Sequence, residues 1–133
     1  MLKIVSLVLE LPDGRLVLHR RDDKAPSSPG MLGLFGGGIE EEEEPLSAAK
    51  RELAEETSLN VKSLDFQALP ALDYQSDDWG QVKFHIYKIK ISSEEFKTYE
   101  GVGPEAYTMN ELIKRSDLAG STKAILGVLS DGK

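Results

Sequence analysis

The chain contains no cysteine, a single tryptophan and only two histidines. Without thiols there can be no disulfide, no thiolate metal site and no cysteine nucleophile. His19 and His85 stand apart in alternating stretches and read as packing or surface residues of strands, not as catalysts. Basic residues are in the minority: 16 Lys and Arg against 23 Asp and Glu give a formal net charge of −7. A surface of that sign repels nucleic-acid backbones and anionic membranes unless divalent cations intervene. Neither a nucleic-acid polymer nor a membrane is therefore expected as a partner. Long hydrophobic runs are missing too. The opening MLKIVSLVLELPDG is broken by Ser6 and Glu10, which makes it too short and too alternating for a signal peptide or a membrane span. A cytoplasmic location is the expectation.

What remains is an ordinary globular composition, 40% hydrophobic and 29% charged over 133 residues. That length suits one domain, taken as residues 1–133, with a sizeable core. Residues 3–11 and 15–20 read as strands joined by the turn Pro12-Asp13-Gly14, a hairpin signal. Met31 to Phe35 is a short apolar run leading into a glycine turn. Pro45 suits the first turn of a helix, and LSAAKRELAEET continues it with good helix formers. Asn60 is placed to end that helix in a left-handed conformation. Residues 64–74 and 81–91 read as strands around a polar turn at 75–80. Helices follow over 109–115 and 121–129. The order is ββ(β)αββ(β)αα, which predicts an α+β fold with a mixed sheet packed against helices.

The unusual stretch is GGGIEEEEEPLSAAKRELAEETSL, residues 36–59, with eight carboxylates close together. A run such as Glu40 to Glu44 is by itself an ordinary solvated loop. On the helix, however, Glu55 and Glu56 lie about 60° and about 40° to either side of Glu52. Leu46, Ala49 and Leu53 fall beside them as an apolar stripe that would anchor the helix. Like charges three and four apart destabilise a helix by a few tenths of a kcal/mol per pair, a cost that a bound cation would reverse. Clustered carboxylates suit Mg²⁺ or Mn²⁺, above all when a phosphate completes the shell. The preceding glycines allow close backbone approach to such a ligand.

The segment resembles the Nudix box, G-x5-E-x7-R-E-U-x-E-E-x-G-U with U aliphatic. Gly37, Glu43, Arg51, Glu52, Leu53, Glu55, Glu56 and Leu59 occupy its positions, and Ser58 stands where the pattern has glycine. The lead-in PGMLGLFGG is similar to the family's P-G-x-W-x-x-P-G-G, with Met31 for the aromatic residue and Phe35 for the proline. Downstream, YEGVGPEAYTMNEL resembles a family segment whose glutamate can join the metal site. Glu100 is the first candidate for that role and Glu105 the second.

The resemblance implies the Nudix fold, a mixed sheet sandwiched between helices. It also implies Mg²⁺- or Mn²⁺-dependent cleavage of a phosphoanhydride bond in nucleoside triphosphates or another nucleoside diphosphate linked to X. Dinucleoside-polyphosphate and nucleotide-sugar hydrolysis are alternatives within the family. A catalytically silent nucleotide-binding or regulatory module is another. By the same resemblance Glu52, Glu55 and Glu56 are the catalytic carboxylates. They form a metal set with the Gly36 carbonyl and Glu100. Gly37, Glu43 and Arg51 are structural, with the arginine pairing the first glutamate of the box. Arg20 and Arg21 are candidates for contacting the substrate phosphate, or else an ordinary cationic strand end; Trp79, in a polar turn, reads as covering a core edge, with stacking on a base as the alternative. The partner implied is a small nucleotide; dimers are frequent in the family, so a homodimer is compatible with it.

Overall fold

A computed structural model describes residues 1–26, 28–77 and 79–131, the side chain of Asp131 excepted. Seven strands share one sheet: β1 (Leu2–Glu10), β2 (Leu16–Arg20), β3 (Leu32–Gly33), β4 (Phe35–Gly38), β5 (Phe66–Ser76), β6 (Gly80–Lys90) and β7 (Gly103–Tyr107). The sheet runs β3-β2-β1-β6-β5, with β4 added to β1 and β7 to β2. β1 pairs in parallel with β6 along its whole length, from Leu2↔Val82 to Glu10↔Lys90. Its other edge is shared by two antiparallel partners, β4 over residues 4–7 and β2 at Leu9 and Glu10. The expected hairpin thus pairs only at its base, where β1 and β2 leave the turn together.

Three helices cover the faces: α1 (Pro45–Glu56), α2 (Met109–Ile113) and α3 (Thr122–Asp131). Alternation along β1 explains the two cores. Val5, Leu7 and Leu9 face α1, where they meet Phe35, Ala48, Ala49 and Leu53. Val8 faces the other way, into a cluster with Phe84, Ile86, Leu112, Ile125 and Leu126 under α2 and α3. The mixed sheet between helices is as expected from the sequence.

Local details differ from the expectation in three places. The glycines after Phe35 form a strand, not a turn: Gly36, Gly37 and Gly38 pair with Ser6, Val5 and Ile4. Leu46 does not join the apolar stripe; it is 41% exposed, and Ala48 takes the buried position with Ala49 and Leu53. Asn60 has φ −80° and does not cap α1. The helix stops at Thr57 instead, whose backbone is extended and whose side chain donates to the Leu53 carbonyl at 2.8 Å. From there the chain pairs with the segment before β7. Thr57 bridges Thr98, the Ser58 N–H donates to Lys97 O, and Ser58 Oγ accepts from the Lys97 N–H at 2.9 Å. Ser58 is not among the described residues with positive φ. A side chain is therefore tolerated at the glycine position of the box, and its hydroxyl is used.

Most strand and helix ends shift by one or two residues, as frayed ends do. α2 is shorter than expected but carries a capping box. Thr108 accepts from Glu111 N while the Glu111 side chain accepts from Thr108 N.

Leu53 is fully buried between α1 and the sheet, so Leu53→Ala removes contacts the site helix depends on. The variant should lose about 2–5 kcal/mol of stability in urea titration. A loss well below that range would mean that α1 is held mainly by its ends.

Candidate functional site

β4 pairs with β1 beneath α1, and two of its glycines, Gly36 and Gly37, leave no space for side chains. A Cβ at Gly36, whose φ is +144°, would lie 2.0 Å from the Val5 carbonyl oxygen. A Cβ at Gly37 would lie 2.5 Å from both carboxylate oxygens of Glu52. These two absences bring the acidic face of α1 against the β4 backbone. The Gly36 N–H donates to Glu56 Oε1 at 2.9 Å.

Arg51 organises the rest. It donates through Nε and Nη2 to Glu43 at 2.8 and 2.9 Å, and through Nη1 to Glu52 and Glu55 at 2.9 Å each. Nη2 also reaches the Gly38 carbonyl at 3.0 Å. The Glu43–Arg51 pair expected from the resemblance is present. Glu40 does more than expected: it lies 3.3 Å from Arg51, and its N–H donates to Glu43. The arginine side chain and the Glu40 N–H hold the Glu43 carboxyl down at about 2.

The helix carboxylates behave oppositely. Burial pushes the Glu56 carboxyl up to about 8; the Gly36 N–H opposes this, and the charges of Glu52, Glu100 and Glu55 add to it. Burial also raises Glu52, against the pull of Arg51. Glu100, on an exposed loop, is thus near enough for its charge to act on Glu56. The loop is tied down on both sides: Tyr99 N–H donates to Glu56 O, and Val102 N–H to Arg20 O, at 2.9 Å each. Glu105 is occupied instead by Arg20 and Tyr107.

No three acidic or imidazole groups among the described residues converge as a finished metal cluster. The donor set still fits a hard divalent cation. Each helix carboxylate spends its Oε1 on an internal hydrogen bond, which leaves the Oε2 atoms for a cation. Their mutual repulsion is what such a cation would relieve.

The two candidate phosphate cations separate. Arg20 is locked between Glu105 and Asp117 and donates to the Gly30 carbonyl, so it is not a free cation. Arg21 lines a cavity of about 290 Å³ that opens onto Gly36 and Gly37. His19 stacks on Phe35 at 4.8 Å, and burial brings it down to about 4, so it is neutral near pH 7. Trp79 covers no core edge; it is 58% exposed at the cavity rim. Ser6, Tyr74, Ser121 and Thr122 also line this space. Of these, Ser6 had a visible signal, as the polar interruption of an apolar strand.

The sequence matches the NUDIX domain family over residues 2–121. The chain belongs to that family. It is 32% identical over 98 residues, 68% of its length, to the m7GpppN-mRNA hydrolase NUDT17 of Bos taurus, of which it spans 32%. The MutT protein of Methanosarcina mazei shares the NUDIX fold with a TM-score of 0.83 at 15% identity, covering 99% of this chain and 95% of that one. The NUDIX domain of Shewanella oneidensis NrtR, solved with ADP ribose, superimposes with a TM-score of 0.76 at 20% identity, covering 99% and 88% of the two chains. No helix among the described residues is long and apolar enough to cross a membrane.

The two glycines of this NUDIX site should respond differently to alanine. At Gly36 the obstacle is backbone, so Gly36→Ala should cost about 3 kcal/mol or more. At Gly37 it is a movable carboxylate, so Gly37→Ala should keep the fold while displacing Glu52. Denaturation midpoints compare them, and equal losses would contradict this account.

Glu56 gives a second test. Its folded-state value lies above the ordinary 4.5, so its contribution to stability is complete below that pH and is lost as pH rises towards about 8. In metal-free protein Glu56→Gln should melt progressively higher than the parent across that interval. A melting difference independent of pH would show that Glu56 is not buried as a carboxylic acid.

Proposed function

We propose that this chain is a Mg²⁺- or Mn²⁺-dependent pyrophosphohydrolase cleaving a phosphoanhydride bond in a nucleoside triphosphate or another nucleoside diphosphate-linked compound. The observation that carries this reading is the placement of Glu52, Glu55 and Glu56 on one face of α1, beside the side-chain-free backbone of Gly36 and Gly37, two residues that also line a cavity. The relative named as a hydrolase of m7GpppN-mRNA and the neighbour holding ADP ribose support it. Both compounds contain the type of bond assigned here.

An acidic protein can hold an anionic diphosphate only with cations between them. Glu52, Glu55 and Glu56 would hold a divalent ion, with the Gly36 carbonyl and Glu100 as further oxygen donors. Such an ion neutralises charge on phosphate oxygens and lowers the pKa of a coordinated water. The chain's own residues supply the rest. Glu52 or Glu56 orients the attacking water and accepts its proton. Water oxygen bonds to phosphorus as the bridging P–O bond breaks, and the departing phosphate keeps the bridging oxygen and its electron pair. Arg51 keeps Glu52 and Glu55 aimed, and Glu43 keeps Arg51 in place. The intact helix carboxylates disfavour a silent module on the same fold, in which loss of one would be the expected mark.

Incubation with Mg²⁺ and a panel of nucleotides, followed by assay of phosphate and pyrophosphate, should show turnover that a chelator abolishes. Glu56→Gln should lower the rate by about two orders of magnitude or more with the circular dichroism spectrum unchanged. Near-normal turnover in that variant would misplace the site. Tight nucleotide binding without turnover of any substrate would overturn the hydrolase reading.

A further inference from the structure

Arg20, one of the expected phosphate contacts, spends its guanidinium on a closed ring of side chains. Nε and Nη2 donate to the two carboxylate oxygens of Glu105 at 2.9 and 2.8 Å, and Nη1 donates to Asp117 at 2.9 Å. Asp117 also accepts from Arg115, through Nε and Nη2, at 2.8 Å each. The Arg115 guanidinium lies 4.4 Å from the ring centre of Tyr107, whose hydroxyl donates to Glu105 at 2.6 Å. The side chains of Arg20, Glu105 and Asp117 are only 21%, 28% and 34% exposed. Partly buried, forked pairs of this kind fix geometry better than open surface pairs do.

The ring seats β7 on β2, where Arg20 stands opposite Gly103 and Leu18 opposite Glu105. Residues 99–102 reach from that seat to the end of α1. The Val102 N–H donates to the Arg20 carbonyl, and the Tyr99 N–H to the Glu56 carbonyl, at 2.9 Å each. Glu100 lies between these two anchors, so the seat of β7 sets where it stands relative to α1. Gly101 shows how little slack the segment has. Its φ is +75°, and a Cβ there would lie 2.5 Å from the Arg20 carbonyl oxygen.

We infer that Arg20 is a positioning residue: through its ring with Glu105 and Asp117 it seats the loop 99–102 and holds Glu100 beside the carboxylates of α1. This rests on the proposed metal-dependent hydrolysis, in which Glu100 offers an oxygen to the cation, and adds the residue that places it. Arg20 itself touches neither cation nor substrate. A loop that had to be ordered on binding would subtract its conformational entropy from the affinity, and a loop already seated avoids that loss.

The test is Mn²⁺ binding to nucleotide-free protein, with the free ion read by electron paramagnetic resonance. Parent, Arg20→Met, Glu100→Gln and the double variant are compared, each checked for folding by circular dichroism. Each single substitution should weaken Mn²⁺ binding about tenfold. The double variant should bind within about twofold of Glu100→Gln alone, because a loop without its carboxylate has nothing left to position. Gly101→Ala leaves the ring intact but displaces the loop. It should show the same non-additivity with Glu100→Gln, and it carries the test if Arg20→Met does not fold. Unchanged Mn²⁺ affinity in the folded loop and ring variants overturns the inference. Losses that add in full, about a hundredfold in the double variant, also overturn it, since Arg20 would then act apart from Glu100. So does an unaffected Glu100→Gln, or a parent that binds no Mn²⁺. The titration contains no nucleotide and needs no turnover. Coupled losses in a protein that hydrolyses nothing would therefore remove only the hydrolase reading, and hydrolysis with additive losses would remove only this one.

Discussion

At Gly36 and Gly37 the backbone of β4 lies so close to β1 and to the acidic face of α1 that side chains are excluded, and the site depends on that approach. Val5 O stands where a Cβ of residue 36 would be, and the Glu52 carboxylate stands where a Cβ of residue 37 would be. Bulk at either position would part the sheet from the helix or push a carboxylate out of the site. Because the gap is closed, Glu56 is buried yet still receives one backbone N–H, from Gly36. One hydrogen bond does not offset the desolvation of a carboxylate, so the group holds its proton to about 8 when nothing else is bound. The close packing that positions the carboxylates also leaves Glu56 desolvated with a single backbone donor.

The remaining carboxylates are arranged around a single guanidinium. Arg51 takes both oxygens of Glu43, one each of Glu52 and Glu55, the Gly38 carbonyl, and an ion pair with Glu40. Loop, strand and helix therefore meet at one side chain. An exposed ion pair contributes little, but Glu43 has only 16% of its side chain exposed and Glu52 15%. The geometry is bidentate on the Glu43 side, where coupling is strongest. Arg51 also keeps like-charged groups from scattering.

Much of this could be read from the chain because the information is local. Pro45, a run of helix formers and glutamates three and four apart mark α1 and its acidic face within twelve residues. The resemblance to the Nudix box from Gly37 to Glu56 implied the Glu43–Arg51 pair, which the structure contains. What could not be read depends on contacts across the sheet. The glycines looked like a turn because glycine usually marks one; only the pairing with β1 shows that they form a strand. Leu46 looked buried by its angle on the helix, but α1 reaches the sheet only from its second turn, where Ala48, Ala49 and Leu53 are enclosed. Ser58 looked like a bare departure from the pattern because the sequence does not show Lys97 beside it, pairing with both its N–H and its hydroxyl. Arg20 and Arg21 looked equivalent until β7 and Asp117 claimed the first.

That last separation matters beyond its own two residues. In a chain with net charge −7, an unneutralised cation inside a cavity is the exception, and most arginines here are committed. Arg15 is paired to Asp13, Arg20 to Glu105 and Asp117, Arg51 to the box glutamates, and Arg115 to Asp117. Arg21 has no such ion pair among the described residues, and it lines the cavity that Gly36 and Gly37 also line. Around Arg21 the cavity carries polar groups, Asp77, Ser121 and Thr122, as well as apolar ones, and it reaches the backbone of Gly36 and Gly37, so the region next to the acidic face of α1 combines a cation, hydroxyls and bare main chain in one space.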